Sequence, residues 1–220
     1  MATVVITGAN RGIGLALAKH YLANGDTVYG LCRNSSDELN SSGAKVIDKV
    51  DVGNPETLPD ALAKLKDIPI DILINNAGVF ANETLDKWDP VTIQHQFHVN
   101  ALGPLLVTQC LLDNMNSPGK IILITSRMGS MEDNGSGGYY GYRMSKAALN
   151  AAGVSMAKDL KERGIAVGIL HPGFVQTEMV NFGGDVSPEA SASGLAQRID
   201  ELDLHNSGQF LHANGDALPW

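Results

Sequence analysis

The chain has 220 residues, of which 44% are hydrophobic and 18% charged, with a formal net charge of -8 and a mean hydropathy near zero. That length suits one well-buried domain, and the acidity argues against a dedicated nucleic-acid binder, which needs a basic face to neutralise phosphates. No apolar run approaches the ~20 residues of a membrane span, and no basic leader precedes an apolar stretch, so a cytoplasmic protein without a membrane partner is expected.

Val4-Val5-Ile6 is the first predicted strand, followed by a glycine-rich turn and a helix. Val28-Tyr29-Gly30-Leu31, Val46-Ile47, Ile72-Leu73-Ile74, Ile121-Ile122-Leu123-Ile124 and Val167-Gly168-Ile169-Leu170 follow as further strands, and Gly208 to His212 as a last one. These runs are continuously apolar rather than alternating, the pattern of strands covered on both faces of a parallel sheet. Between them, Asn54-Pro55 predicts a helix N-cap with proline at the first helical position, leading into Leu58, Leu62 and Leu65. Met144 to Arg163 reads as helix and stops at Gly164. Gly129 to Gly138 and Gly183 to Pro188 read as loops. The βαβα rhythm implies an α/β, Rossmann-type doubly wound parallel sheet of about seven strands with helices on both faces, in a single domain over residues 1–220.

Cys32 and Cys110 both sit in apolar sequence and are expected to be buried thiols. His95 and His98 share a helix face but have no third ligand, so no metal site is expected. The triplet Asn82-Glu83-Thr84 carries no glycosylation meaning in a cytosolic chain.

In such a sheet, ligands bind beyond the carboxyl ends of the strands. There the first strand runs into Gly8-Ala9-Asn10-Arg11-Gly12-Ile13-Gly14 with a helix behind it. Glycines permit a sharp turn and close approach of a pyrophosphate to the helix N-terminus, which makes Gly8, Asn10, Arg11, Gly12, Ile13 and Gly14 a dinucleotide-binding candidate. The second strand ends in Leu31-Cys32-Arg33-Asn34-Ser35, with no carboxylate before Asp37. Arg33 is suited to fork onto a ribose 2′-phosphate, with Arg11 as a second cation, which favours NADP(H) over NAD.

Three tyrosines, Tyr139, Tyr140 and Tyr142, precede Lys146. Only Tyr142 lies one helical turn from the lysine and on its face; Tyr139 and Tyr140 are candidates for packing or for the substrate wall. Together with Thr7-Gly8-xxx-Gly12-x-Gly14, Asn75-Asn76-Ala77-Gly78, Asn100, Ser126 and Pro172-Gly173, in that order from residue 2 to about 180, the chain resembles a short-chain dehydrogenase/reductase of the single-domain type. The tail, with Gly208-Gln209-Phe210 and Leu218-Pro219-Trp220, is similar to the carbonyl-reductase-like subgroup that includes the C-factor and sniffer proteins.

The resemblance implies Tyr142 as acid/base, its pKa lowered by Lys146 and by the oxidised nicotinamide. It implies Ser126 as hydrogen-bond donor to the substrate oxygen, and Asn100 as holder of a water relaying protons to Lys146. It puts Asn76, Ala77 and Gly78 along the cofactor, Asp51 and Val52 at the adenine, and Pro172, Gly173, Val175 and Thr177 near the nicotinamide carboxamide. Each of these residues is also readable as simple turn chemistry, Asp51 most readily. The implied activity is NADPH-dependent reduction of a small aldehyde or ketone. An NADP(H)-binding regulatory protein is the alternative, while the chain length disfavours an epimerase or dehydratase of the extended branch. Ala147, Ala148, Ala151, Ala152 and Gly153 on the Tyr142 helix permit close packing of a homodimer or homotetramer. The segment Glu178 to Pro188 resembles a shortened lid, implying an open site.

Overall fold

The computed structural model describes residues 1–220. Seven strands form one sheet: β1 (Thr3–Thr7), β2 (Thr27–Leu31), β3 (Lys45–Ile47), β4 (Ile70–Asn75), β5 (Met115–Ile124), β6 (Ile165–His171) and β7 (Phe210–His212). Every pair is parallel, in the order β3-β2-β1-β4-β5-β6-β7. The chain builds outward from β1 to β3, returns to lay β4 on the other side of β1, and builds outward again. That reversal opens a crevice beyond the carboxyl ends of β1 and β4. Seven helices connect the strands: α1 (Gly12–Ala23), α2 (Asp37–Ser41), α3 (Leu58–Leu62), α4 (Pro90–Phe97), α5 (Gly103–Leu111), α6 (Tyr140–Asp159) and α7 (Pro188–Asp200).

Strand parity builds two cores. Val5, Leu73, Ile121 and Val167 join a cluster of 24 buried residues with Leu58 of α3, Val107 and Leu111 of α5 and Leu149 of α6. Their strand neighbours Val4, Ile6, Ile72, Ile74 and Ile122 join one of 23 with Leu15 and Leu17 of α1 and Leu195 and Ile199 of α7. Successive side chains on a strand point to opposite faces, so a strand sandwiched between helix layers must be apolar at every position. Each fully buried Leu or Ile contributes about 1.5–3 kcal/mol. Lys120 ties the second layer to the sheet: its ammonium donates to the carbonyls of Ile199 (2.6 Å) and Asp200 (3.0 Å) at the end of α7, where the helix dipole favours a cation.

Three expectations are corrected. Asn54 does not cap α3 directly; its Oδ1 accepts from Glu56 and Thr57 N–H in a turn, and regular helix begins only at Leu58. Cys110 is exposed rather than buried, because on α5 it faces away from inward-pointing Val107, Thr108 and Leu111. The Tyr142 helix begins at Tyr140, four residues before Met144, and Gly164 ends the following short turn with a φ of 71° as the sequence implied. No helix is long and apolar enough to cross a membrane.

Of the small residues on α6, Gly153 is used inward. A Cβ there would lie 2.7 Å from the Ile169 side chain and 2.9 Å from Leu123, so glycine sets how closely α6 approaches β5 and β6. Gly153→Val is expected to lower stability by about 1–3 kcal/mol through overpacking, read as a reduced urea midpoint at unchanged slope.

Candidate active site

The crevice is organised by the hydroxyl of Thr7, the last residue of β1. It accepts the main-chain N–H of both Asn76 and Ala77 at 3.0 Å, so the end of β4 is pinned to the end of β1. Asn76 returns the contact, its side-chain amide donating to the carbonyls of Thr7 (3.0 Å) and Gly8 (3.2 Å). Gly8 and Gly12 adopt φ of 68° and 54°, a region that glycine enters without Cβ cost. Gly14 is needed for another reason: a Cβ there would overlap the Gly8 carbonyl oxygen. The Gly8 carbonyl therefore packs directly on the first turn of α1.

Beyond it opens a cleft of about 810 Å³. Gly8, Asn10, Arg11, Gly12 and Ile13 form its floor, while Arg33, Asp51 and Val52 border one end. Asn76, Ala77 and Gly78 line it after β4, and Pro172, Gly173, Val175 and Thr177 after β6, with Thr177 beside Gly12. Asp51 has both characters the sequence allowed, accepting the Gly53 N–H at 3.0 Å in a turn while bordering the cleft. Arg33 is exposed and forms no ion pair. Arg11 instead pairs with Glu178, so in the protein alone its guanidinium is held by a carboxylate from across the cleft.

At the other end, Tyr142 and Lys146 both border the cleft from α6. Lys146 is buried, and its ammonium donates to the Ile124 carbonyl at 2.9 Å. No carboxylate pairs with it, and burial pulls its pKa down to about 8. Its Nζ lies 5.7 Å from the Tyr142 ring centroid. Burial pushes the Tyr142 phenol up to about 12, opposed by its hydrogen bond with Ser126. The expected lowering counted the oxidised nicotinamide together with Lys146; among the protein's own groups, burial outweighs the hydrogen bond and the phenol is raised.

Ser126, Asn100 and Gly14 are not on the cleft wall. Ser126 follows β5, is buried, and accepts the Met128 N–H at 3.1 Å. Asn100 is fully buried in a widened π-type turn over His98–Leu102. Both its amide hydrogens are committed, to the Val79 carbonyl (2.9 Å) and Ser145 hydroxyl (3.0 Å), and its Oδ1 accepts the Val79 N–H at 2.8 Å. One acceptor lone pair remains on Oδ1. Gly78 makes the space that Asn100 and Lys146 share, since a Cβ there would stand 3.3 Å from Asn100 Oδ1 and 3.8 Å from Lys146 Nζ.

Of the other two tyrosines, Tyr139 borders the cleft and Tyr140 does not. Tyr139 packs on Phe80 (5.6 Å between centroids), which also meets Tyr142 edge-on at 5.0 Å. Sequence reasoning missed Phe80 and Glu83, which carry no local signal, and gave Thr7 no role although it stands in the glycine motif.

Residues 2–185 match the family model of the short chain dehydrogenases. The chain is 35% identical over 226 residues to the 1-hydroxy-2-glutathionyl-2-methyl-3-butene dehydrogenase of Rhodococcus sp. (strain AD45), covering 100% of both proteins. It is 42% identical over 155 residues to the C-signal of Myxococcus xanthus, covering 69% of this chain and 93% of that protein. It is also similar to the NADPH-bound carbonyl reductase from chicken fatty liver, with a TM-score of 0.90 and 30% identity over 100% of this chain and 99% of that one. With the glycine turn, the pinned end of β4 and the Tyr142/Lys146 pair all inside the matched region, the chain belongs to the short-chain dehydrogenase family.

Proposed function

We propose that the protein is an NADPH-dependent reductase of aldehyde and ketone carbonyls. The observation that carries this reading is a phenol and a buried ammonium at one end of a cleft, with the Ser126 hydroxyl against the phenol just behind the wall, while the other end presents an unpaired guanidinium. The residues fit the dinucleotide: a tight glycine turn leads into the N-terminus of α1 beside the cleft, where a pyrophosphate would meet the helix N–H groups, and Arg33 supplies a fork for a 2′-phosphate. Arg11 can join it only by leaving Glu178. When bound, the nicotinamide supplies the hydride.

The protein's own groups handle the proton. Tyr142 donates from its phenol to the substrate oxygen, and the Ser126 hydroxyl hydrogen-bonds to the same oxygen, polarising the carbonyl. The Lys146 ammonium stabilises the phenolate left behind. Asn100, through its remaining Oδ1 lone pair, accepts from a water that returns protons toward Lys146. Phe80, Tyr139 and Phe182 give the substrate end apolar walls, and the open segment after Glu178 suits varied small carbonyls. The whole chain acts as one domain in the cytoplasm. Exposed Met144 on α6 and Val91 on α4 support association as a homodimer or homotetramer, which equilibrium sedimentation tests. The likeness to the C-signal favours a second reading, an NADP(H)-binding regulator with little turnover, which NADPH binding without consumption across a panel of aldehydes, ketones and quinones would favour.

Tyr142→Phe should abolish NADPH oxidation against that panel while NADPH still binds; retained turnover would remove Tyr142 from its role. Arg33→Ala should bind NADH and NADPH equally well, and an unchanged NADPH preference would defeat the assignment of Arg33. The lysine also sets a pH limit. Burial makes Lys146 lose its proton near pH 8, so the charged form that supports Tyr142 dominates below that pH and disappears above it. The kcat profile for reduction should fall on an alkaline limb near pH 8, and a flat profile from pH 7 to about 10 would exclude Lys146 as the titrating group.

A further inference from the structure

Glu83 is a buried carboxylate, 3% exposed, with no cationic partner. Such a group is costly to bury unless fully hydrogen-bonded. Its Oε1 accepts from Gln96 Nε2 and from the Thr92 hydroxyl (3.2 Å), both on α4, and its Oε2 accepts the main-chain N–H of Gly141 (3.2 Å). Gly141 is the second residue of α6 and immediately precedes Tyr142. The first N–H groups of a helix have no partner within it, so the carboxylate supplies one and complements the positive end of the helix dipole.

The main chain of Glu83 acts on the same helix end. Its carbonyl accepts the Tyr139 N–H at 2.8 Å. Tyr139 is the N-cap of α6, has a φ of 54° and contributes no side-chain cap of its own. A non-glycine residue in that region is strained and persists only where its surroundings hold it. Glycine at 141 is required for this approach, because a Cβ would overlap Gln96 Nε2 and come within 3.1 Å of Glu83 Oε1. Gln96, itself 1% exposed, anchors the clamp by accepting the Ala81 N–H at 3.0 Å.

We infer that Glu83 is a positioning residue for the reaction: by holding the N-terminal turn of α6 with both its carboxylate and its carbonyl, it fixes where Tyr142 stands relative to Ser126 and the cleft. This rests on the reductase reading for its kinetic consequence and on the hydrogen bonds alone for its structural one. Glu83→Gln replaces one acceptor by a donor facing Gln96 Nε2 and loosens the clamp. The double variant Glu83→Gln/Gln96→Glu restores a donor–acceptor pair with the polarity reversed.

The test measures three quantities on each variant: kcat with a carbonyl substrate, NADPH affinity by fluorescence titration, and amide hydrogen exchange at Gly141 and Tyr139, the two N–H groups that Glu83 accepts. Glu83→Gln should lower kcat about 10- to 100-fold, the scale of a misplaced reacting group, with the NADPH dissociation constant held within about twofold because the clamp touches no cofactor-end residue. Exchange at Gly141 and Tyr139 should accelerate while Ile121 to Ile124 stay protected, and the double variant should recover kcat to within about threefold of the parent. Should Glu83→Gln not fold, Glu83→Asp takes its place with the same readouts. Unchanged kcat and exchange in the single variant would overturn the inference, as would a double variant that regains its melting temperature without regaining kcat. If the parent protein oxidises no NADPH with any carbonyl, the reductase reading fails, and the exchange measurement still decides whether Glu83 holds the helix.

Discussion

A lysine ammonium in the interior, held by one carbonyl and no carboxylate, is the constraint around which the rest of this site is arranged. Lys146 reaches the Ile124 carbonyl only because α6 lies close against the end of β5. That closeness depends on residues without side chains: at Gly129 a Cβ would stand 2.8 Å from the Lys146 main chain, and at Gly153 it would strike Ile169. Gly78 keeps open the space beside the ammonium. A buried cation with few partners gives up its proton more readily than one in water, so the same packing that stabilises the fold sets the acid–base behaviour of the cleft.

The architecture was legible because its physics is local. A strand buried on both faces must be apolar throughout, and Val4-Val5-Ile6 or Ile121 to Ile124 cannot easily be read otherwise. The glycine turn and the Tyr142/Lys146 spacing were legible too, since each requires particular residue types at fixed separations, whereas Asn76 was reached through the family resemblance. What stayed hidden depends on contacts between distant segments. Glu83 lies 58 residues before its partner Gly141, and nothing around it distinguishes a buried carboxylate from a surface one. Cys110 misled because apolar neighbours in sequence are not neighbours on a helix face. The Arg11–Glu178 pair joins residues 167 positions apart, which composition and motif spacing do not reveal.

The phenol illustrates how a resemblance and a geometry answer different questions. The family pattern identifies which tyrosine stands beside which lysine. The surroundings of Tyr142 decide the direction of its shift, and in the protein alone burial dominates. Ser126 already opposes that burial through its hydrogen bond. A positive ring arriving beside the phenol would act in the same direction, so the site couples its acid strength to the charge of whatever fills the cleft.

The start of α6 is secured from the side of residues 79–83 and α4, whereas the other border of the substrate end is the loop between β5 and α6. That loop touches the helix through Arg143, which donates to the Ser136 hydroxyl at 2.9 Å and more distantly to the Met128 carbonyl. The anchoring of Tyr142 and the shaping of its surroundings therefore fall to different stretches of chain. Gly129 is fixed by its contact with the Lys146 main chain, but the exposed residues 131–137 meet the helix only through Ser136, so a change there would reshape the border of the cleft without touching the hydrogen bonds that hold the start of α6.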